Sequence, residues 1–330
     1  MRRDIVVIGA SAGGLQALQQ LVALLPGDLA ASVLVVIHLP PGTPTRLAEI
    51  LAKAGSLPAV AAQDGRPLVP GCIYTAVPDR HLPIGDNDTV RLSRGPRENR
   101  VRPAVDPLFR AAARWCGPRV IGVVLSGTLD DGAAGLAAIA GRGGATLVQR
   151  PEGAKFDGMP KAALIAVPGA TSVPAAQLAK VITELVGQPV QPAAEGPDEA
   201  LIWETDMSAF GGSDARQAGR PVGLGCPECT GGMHVVRTGN AVHYACHAGH
   251  SYAPQALLAA RDESIESALW TAISALEEKR MVLTELAARA EQAGDHDAHL
   301  RHQAAAQQME RAADLLRKQA LSSGQSAPPG

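Results

Sequence analysis

The chain has 330 residues, a formal net charge of −2, 46% hydrophobic residues and only 3% aromatics. Its core must therefore be built mainly from Ala, Val, Leu and Ile, and its charge gives no argument for a nucleic-acid or anionic-membrane surface. No run reaches the ~18 apolar residues of a bilayer span. The start, Met1-Arg2-Arg3-Asp4 before Ile5 to Ile8, lacks a secretory signal's apolar stretch and cleavage site. Five cysteines without framework spacing argue against a disulfide scaffold and make a reducing cytoplasm the expected location.

Short apolar runs alternate with helix-like stretches over residues 1–186, the pattern of a doubly wound α/β domain with a mostly parallel sheet. Strands are predicted at Ile5 to Ile8, Ser32 to Ile37, Val120 to Leu125 and Ala145 to Gln149. Helices are predicted at Leu15 to Leu25, Thr45 to Ala54, Ala133 to Ala140 and Leu178 to Val186. Another starts at Asp106-Pro107, with Asp as N-cap and Pro at the first helical position. Strand-like pieces at Cys72 to Thr75 and His81 to Ile84 are expected as a side excursion. Residues 187–220 are rich in Pro, Gly and Ala and form a linker, within which Leu201-Ile202-Trp203 and Phe210 are apolar enough to dock.

The loop after the first strand, Gly9-Ala10-Ser11-Ala12-Gly13-Gly14, admits three readings. A P-loop needs Lys and then Ser or Thr after its last Gly, but Leu15 follows. A dinucleotide site needs Gly at position 11 and an acid after the second strand, where Ser11 and His38 stand. The third is Gly-x-Ser-x-Gly, a nucleophile on a tight strand-to-helix turn whose helix N-terminus can stabilise an oxyanion. Ser11 and His38 fall at the carboxyl ends of two strands, where open parallel sheets bind ligands. Loop 126–132 adds Asp130 and Asp131 at the same rim. The order Ser, His, Asp differs from that of the α/β-hydrolases, which points to convergent chemistry on another fold. Asp130 and Asp131 could instead cap the helix that follows.

Residues 4–186 resemble the catalytic domain of chemotaxis protein-glutamate methylesterases, the CheB family. The resemblance rests on IVVIGASAGG at 5–14, IHLPPG at 37–42, DGRPLVPGCIYTAVPDRHL at 64–82, RPAVDPLF at 102–109, GVVLSGTLDDGAAGL at 122–136 and GMPKAAL at 158–164. It implies a serine hydrolase in which Ser11 attacks a γ-glutamyl methyl ester on a chemoreceptor. His38 is then the base, and Asp131 orients it from the Nδ1 side. Ala12 and Thr128 are implied on the substrate or oxyanion side. Ala12 replaces the family's frequent Thr, and Asp130 its frequent Asn, a carboxylate expected to perturb the base or alter substrate preference. No receiver domain precedes Ser11, so regulation through a separate receiver protein or methyltransferase is expected. The family's relatives can also deamidate glutamine. A non-enzymatic signalling adaptor of the same fold is the alternative, and a nucleotide-binding regulator is disfavoured by Ser11 and His38.

Residues 221–252 hold Cys226-Pro-Glu-Cys229 and Cys246-His247-Ala-Gly-His250, joined by a hairpin signal around Thr238-Gly239-Asn240. This spacing suits a Cys3His structural zinc site of Cys226, Cys229, Cys246 and His250, with His250 preferred to His247 and His243. Such a site has no open coordination position, so no metal is expected in catalysis and the module is expected to act independently of Ser11. Cys72 and Cys116 are expected to be structural. Residues 253–321 form a helical hairpin with a seam of Ile265, Leu269, Ala272, Leu276, Lys279, Leu283 and Leu286, suited to self-association. The tail 322–330 is expected to be disordered.

Overall fold

The computed structural model describes residues 1–40, 42, 45–193, 195–210 and 219–323, so the expectation for the tail falls almost entirely outside it. β1 (Ile5–Ala10) is buried along its whole length, as an apolar run covered on both faces must be. It is followed by α1 (Gly14–Ala23), β2 (Ser32–Ile37), α2 (Leu47–Ala54), β3 (Ala59–Ala61) and β4 (Ile73–Thr75). A small antiparallel pair, β5 (Ile84–Gly85) and β6 (Thr89–Val90), precedes α3 (Val105–Cys116). Then come β7 (Val120–Val124), α4 (Ala133–Gly141), β8 (Ala145–Gln149), α5 (Gly158–Ala166), β9 (Thr171–Val173) and α6 (Ala175–Leu185).

Seven strands form one parallel sheet in the order β3-β4-β2-β1-β7-β8-β9. Alternate residues of β1 face opposite apolar layers: Val6 and Ile8 join Leu18 and Leu21 of α1, whereas Ile5 and Val7 join Leu108 and Phe109 of α3. The doubly wound class expected from the sequence is thus the class observed. The strands after β1 lie on one side of it and those from β7 onward on the other. Such a reversal opens a crevice at the carboxyl ends of the central strands.

Two local expectations are corrected. The Cys72–Thr75 piece is not an excursion, because β4 pairs with β2 and β3 inside the main sheet. Asp106 is not the N-cap of α3. The cap is Ala104, and the Asp106 carboxylate accepts the Gly135 N–H at 2.7 Å, tying α3 to α4.

Beyond α6 the segment expected as linker contains α7 (Glu199–Phe210), whose Leu201 and Trp203 are buried. The Phe210 side chain lies outside the described residues. A four-stranded antiparallel sheet follows: β10 (Arg220–Gly225), β11 (Gly232–Thr238), β12 (Ala241–Cys246) and β13 (Ser251–Tyr252). The β11–β12 turn is at Gly239-Asn240, with Gly239 at φ 57°. All of this, with the first turn of α8 (Pro254–Gln292), belongs to one compact unit, Met1–Leu257.

The second unit, Leu258–Gly330, contains the rest of α8 and α9 (His296–Ser323), which turn back on each other at Gly294. Arg317 bridges to Glu277 at 2.5 Å, and the His299 ring meets the Ala287 carbonyl at 3.0 Å. Among the described residues the buried positions are Ala260, Ile273, Ala287, Ala306, Ala313 and Ala320, and the expected seam residues Ile265 and Leu286 are exposed. Small alanines let the helices approach closely and leave the larger side chains outside.

Candidate active site

Ser11 follows β1 directly, and its N–H donates to the Ser126 carbonyl at 2.9 Å. The Gly14 N–H returns to the Ser11 carbonyl at 2.9 Å, closing the turn into α1. Gly13 makes the turn possible: its φ is 69°, and a Cβ there would lie 2.7 Å from Lys155 Cβ. His38 follows β2, and its N–H reaches the Ala10 carbonyl at 3.3 Å. Asp131 lies on the loop between β7 and α4. Three loops at one rim of the sheet thus converge.

The side chains form a continuous chain. Ser11 Oγ is 2.9 Å from His38 Nδ1, and His38 Nε2 is 2.7 Å from Asp131 Oδ2. This corrects the expected ring orientation, because Asp131 holds the Nε2 side and Ser11 faces Nδ1. The carboxylate selects the tautomer with its proton on Nε2, which leaves Nδ1 able to accept from the Ser11 hydroxyl.

Asp131 is only 2% exposed. Its Oδ2 also accepts the Val105 N–H at 2.7 Å, and its Oδ1 accepts Asn99 Nδ2 at 3.0 Å and the Asp106 N–H at 3.2 Å. Burial pushes its pKa up, but the hydrogen bond and charge of His38 with the Val105 and Asp106 N–H groups outweigh it and bring it to about 2. Neighbouring Asp106 goes the other way: burial first, then the Asp131 charge, hold its carboxyl well above the usual range.

Asp130 points away from the triad. It accepts the Gln255 N–H at 2.9 Å and the Ala256 N–H at 3.3 Å, capping the start of α8 rather than α4, whose N-cap is Gly132. Burial pushes its pKa up to about 6 against those two donors. The expectation that this carboxylate perturbs the base is corrected accordingly.

The Ala12 and Gly13 N–H groups have no hydrogen-bond partner among the described residues and stand beside the nucleophile at the start of α1. Thr128 is half-buried and makes no hydrogen bond to the triad. Its neighbour Gly127 matters more: a Cβ there would fall 2.0 Å from Met159 Sδ and 2.8 Å from Ser11 Cβ. Met159, whose N–H donates to the Gly127 carbonyl at 2.9 Å, therefore walls the nucleophile loop. The sequence reading missed Asn99 and Met159. Met159 lies within the GMPKAAL stretch at 158–164, but nothing local places its thioether beside Ser11, and Asn99 stands out only as a left-handed residue, at φ 50°.

In the C-terminal module the structure brings Cys226, Cys229, Cys246 and His250 together, with their ligand atoms within 4.8 Å of one another. Cys229 and Cys246 Sγ are 3.6 Å apart, and His250 Nδ1 is 3.7 Å from Cys226 Sγ and 3.6 Å from Cys246 Sγ. A tetrahedron with zinc–sulfur bonds of about 2.3 Å has edges of about 3.8 Å, so the donor set fits. His250 Nε2 lies 3.3 Å from Glu228, the carboxylate support usual behind a metal-bound imidazole. His247 is exposed and outside the cluster, and His243 is paired with Glu204 instead. Cys72 and Cys116 are free thiols outside the cluster, and Cys116 Sγ lies 3.7 Å from Asp88 Oδ1.

Fold and site together define a doubly wound α/β protein with a Ser–His–Asp constellation at the topological switch point of its sheet. The family model for CheB methylesterase matches residues 6–182, and the chain belongs to that family. It is 40% identical over 163 residues to a protein-glutamate methylesterase/protein-glutamine glutaminase of Caulobacter vibrioides, covering 48% of this chain and 47% of that one. A protein of the same description from Methanosarcina mazei is 39% identical over 165 residues, covering 48% and 45%. The crystal structure of the Thermotoga maritima CheB methylesterase catalytic domain superimposes with a TM-score of 0.54 at 33% identity, over 56% of this chain and 100% of that one. The chain spans about half the length of the curated relatives it matches.

Proposed function

We propose that the protein is a serine hydrolase that demethylates glutamate methyl esters on the cytoplasmic domain of chemoreceptors, with Ser11, His38 and Asp131 as its catalytic triad. The observation that carries this is the unbroken Ser11–His38–Asp131 hydrogen-bond chain at the switch point. Ser11 Oγ attacks the ester carbonyl while His38 Nδ1 takes its proton, and Asp131 stabilises the imidazolium through Nε2. The N–H groups of Ala12 and Gly13 receive the developing oxyanion, and Thr128 borders the substrate side. His38 then protonates the departing methoxide as methanol. Water, activated by the same base, releases the receptor carboxylate and restores Ser11. The relatives' printed names add glutamine deamidation as a second reaction, and the same acyl-enzyme would serve it with ammonia as leaving group.

Incubation with a methyl-labelled receptor fragment tests the proposal. Released methanol and labelling of Ser11 by a fluorophosphonate are expected. A properly folded chain that does neither is the adaptor of the alternative reading. No cofactor takes part. Cys226, Cys229, Cys246 and His250 would hold a structural zinc ion that supplies folding energy to the module. No described helix is long and apolar enough to cross a membrane, and the proposed workplace is the cytoplasmic face of the receptor array, with a separate receiver protein or methyltransferase as regulator. The exposed Ile265, Met281, Val282 and Leu286 support self-association through the helical hairpin, which light scattering would detect.

A further inference from the structure

Asn99 is where the C-terminal module touches the triad. Its N–H donates to the Ser251 carbonyl at 2.7 Å, and its side-chain Oδ1 accepts the Ala253 N–H at 2.7 Å. Its Nδ2 donates to Asp131 Oδ1 at 3.0 Å. One partner needs an acceptor and the other a donor, so the amide has one orientation that satisfies both. At 8% exposure, water competes weakly for either bond.

The segment that holds Asn99 leads straight from the metal-ligand cluster. Ser251 follows His250 in the chain, and the His250 carbonyl accepts the Cys246 N–H at 2.9 Å. Whatever sets the position of Cys246 and His250 sets that of Ser251 and Ala253.

The module is also seated by a buried ionic cluster. Arg110 binds Glu98 at 2.5 Å and approaches Glu204 at 3.7 Å, and Glu204 pairs with His243 of β12. Ser208 of α7 donates to Glu98 at 2.5 Å. These groups are at most 4% exposed. A displacement at the metal ligands is therefore passed to residues 251–253 instead of being absorbed by a slack tether.

We infer that the metal-bound module is a brace for the triad: zinc at Cys226, Cys229, Cys246 and His250 fixes Ser251–Ala253, and Asn99, a positioning residue, transmits that fixation to Asp131. The inference rests on the triad reading above and departs from the sequence expectation of an independent module. With the metal removed, Asn99 loses its anchor, Asp131 loses one of its four donors, and the His38 imidazole loses its alignment on Ser11.

The experiment uses the full chain, loaded with Zn²⁺ and then stripped by a chelator under reducing conditions. It has two readouts: kcat and KM on a small activated ester, and the downfield NMR proton of the His38 Nε2–H···Asp131 bond. Stripping should lower kcat about tenfold or more with KM within about twofold, and weaken that resonance, as expected for a charged hydrogen-bond network losing a member. Asn99→Asp keeps the acceptor for Ala253 and tolerates the left-handed backbone, but as a carboxylate it cannot donate to Asp131 and sets a like charge beside it. It should bind zinc normally, show the low kcat with a shifted pH profile, and lose little more on stripping.

A chain that binds no zinc overturns the inference. So does a stripped parent with kcat and resonance intact, or an Asn99→Asp variant that loses as much on stripping as the parent. If stripping unfolds the chain, Asn99→Asp decides alone, and parent-level kcat in the loaded variant refutes the brace. A loaded parent without esterase activity, whose resonance still responds to zinc, would remove the hydrolase reading and leave the brace supported.

Discussion

Asp131→Asn should disable the site through hydrogen-bond logic more than through lost charge. Each carboxylate oxygen faces two N–H donors: His38 Nε2 and the Val105 N–H on Oδ2, Asn99 Nδ2 and the Asp106 N–H on Oδ1. An amide must turn its NH2 toward one of these pairs. Facing His38, it forces the ring proton onto Nδ1, and the base can no longer accept from Ser11. Facing Asn99, it leaves two buried donors unsatisfied, at about 1–3 kcal/mol each, and still removes the charge that stabilises the imidazolium. We expect a kcat loss of about 10⁴-fold, the size of the same change in serine proteases. We also expect a loss of about 2–6 kcal/mol in unfolding free energy. Steady-state hydrolysis of an activated ester and urea unfolding measure the two. Asp130→Asn is the control: its remaining carbonyl can still cap the start of α8, and its kcat should stay within about threefold of the parent. Equal losses at the two positions would refute the reasoning.

Ser11→Ala should leave the fold intact and abolish fluorophosphonate labelling, and labelling that persists would place the nucleophile elsewhere. Gly127→Ala should cost about 1–3 kcal/mol of stability and lower kcat together, because the new methyl group meets Met159 and Ser11; unchanged thermal unfolding would contradict the packing. Elemental analysis of protein purified without added metal should find one zinc per chain, and chelation should open the 221–252 module to protease. The Asp130 pKa of about 6 lies above the ordinary aspartate value of about 3.9, so the folded state holds its proton more tightly. That stabilisation is complete below about pH 4 and lost as pH rises through about 6, and Asp130→Asn lacks it. The variant-minus-parent unfolding free energy should therefore shift toward the variant by about 2 kcal/mol between pH 4 and pH 7, and a pH-independent difference would oppose it.

The parts legible in the sequence were those written in local pattern. β2 and β8 are predicted at their observed bounds, β2 because its Val33 to Ile37 form a fully buried apolar run and β8 because a short β-branched and apolar stretch stands between two Gly residues and Arg150-Pro151. Ser11 and His38 could be placed because each directly follows such a run, and the four metal-ligand candidates because their spacing is local. What escaped depends on tertiary contact. β3 and β9 have three residues each, too short for a periodic signal. α7 lay hidden in a segment whose Pro and Gly content suggested a linker. The distinct roles of Asp130 and Asp131, adjacent in sequence, are set by partners 125 and 93 positions away along the chain. The ring orientation of His38 likewise has no sequence signature.

The buried Arg110–Glu98–Glu204–His243 cluster has an evolutionary consequence. Glu98 and Arg110 lie inside the family-matched region, whereas Glu204 and His243 lie beyond it. A buried charge left without its partner costs several kcal/mol, so selection cannot alter one end of this cluster while keeping the other. Across family members the four positions should covary as a block. Members that stop near the end of the methylesterase domain leave the Glu98–Arg110 pair facing water in place of the module, which relaxes the need to keep a charged pair at those two positions. The history of the C-terminal extension would then be recorded inside the catalytic domain, where a gain or loss of the appendage leaves its trace as a paired change of charge.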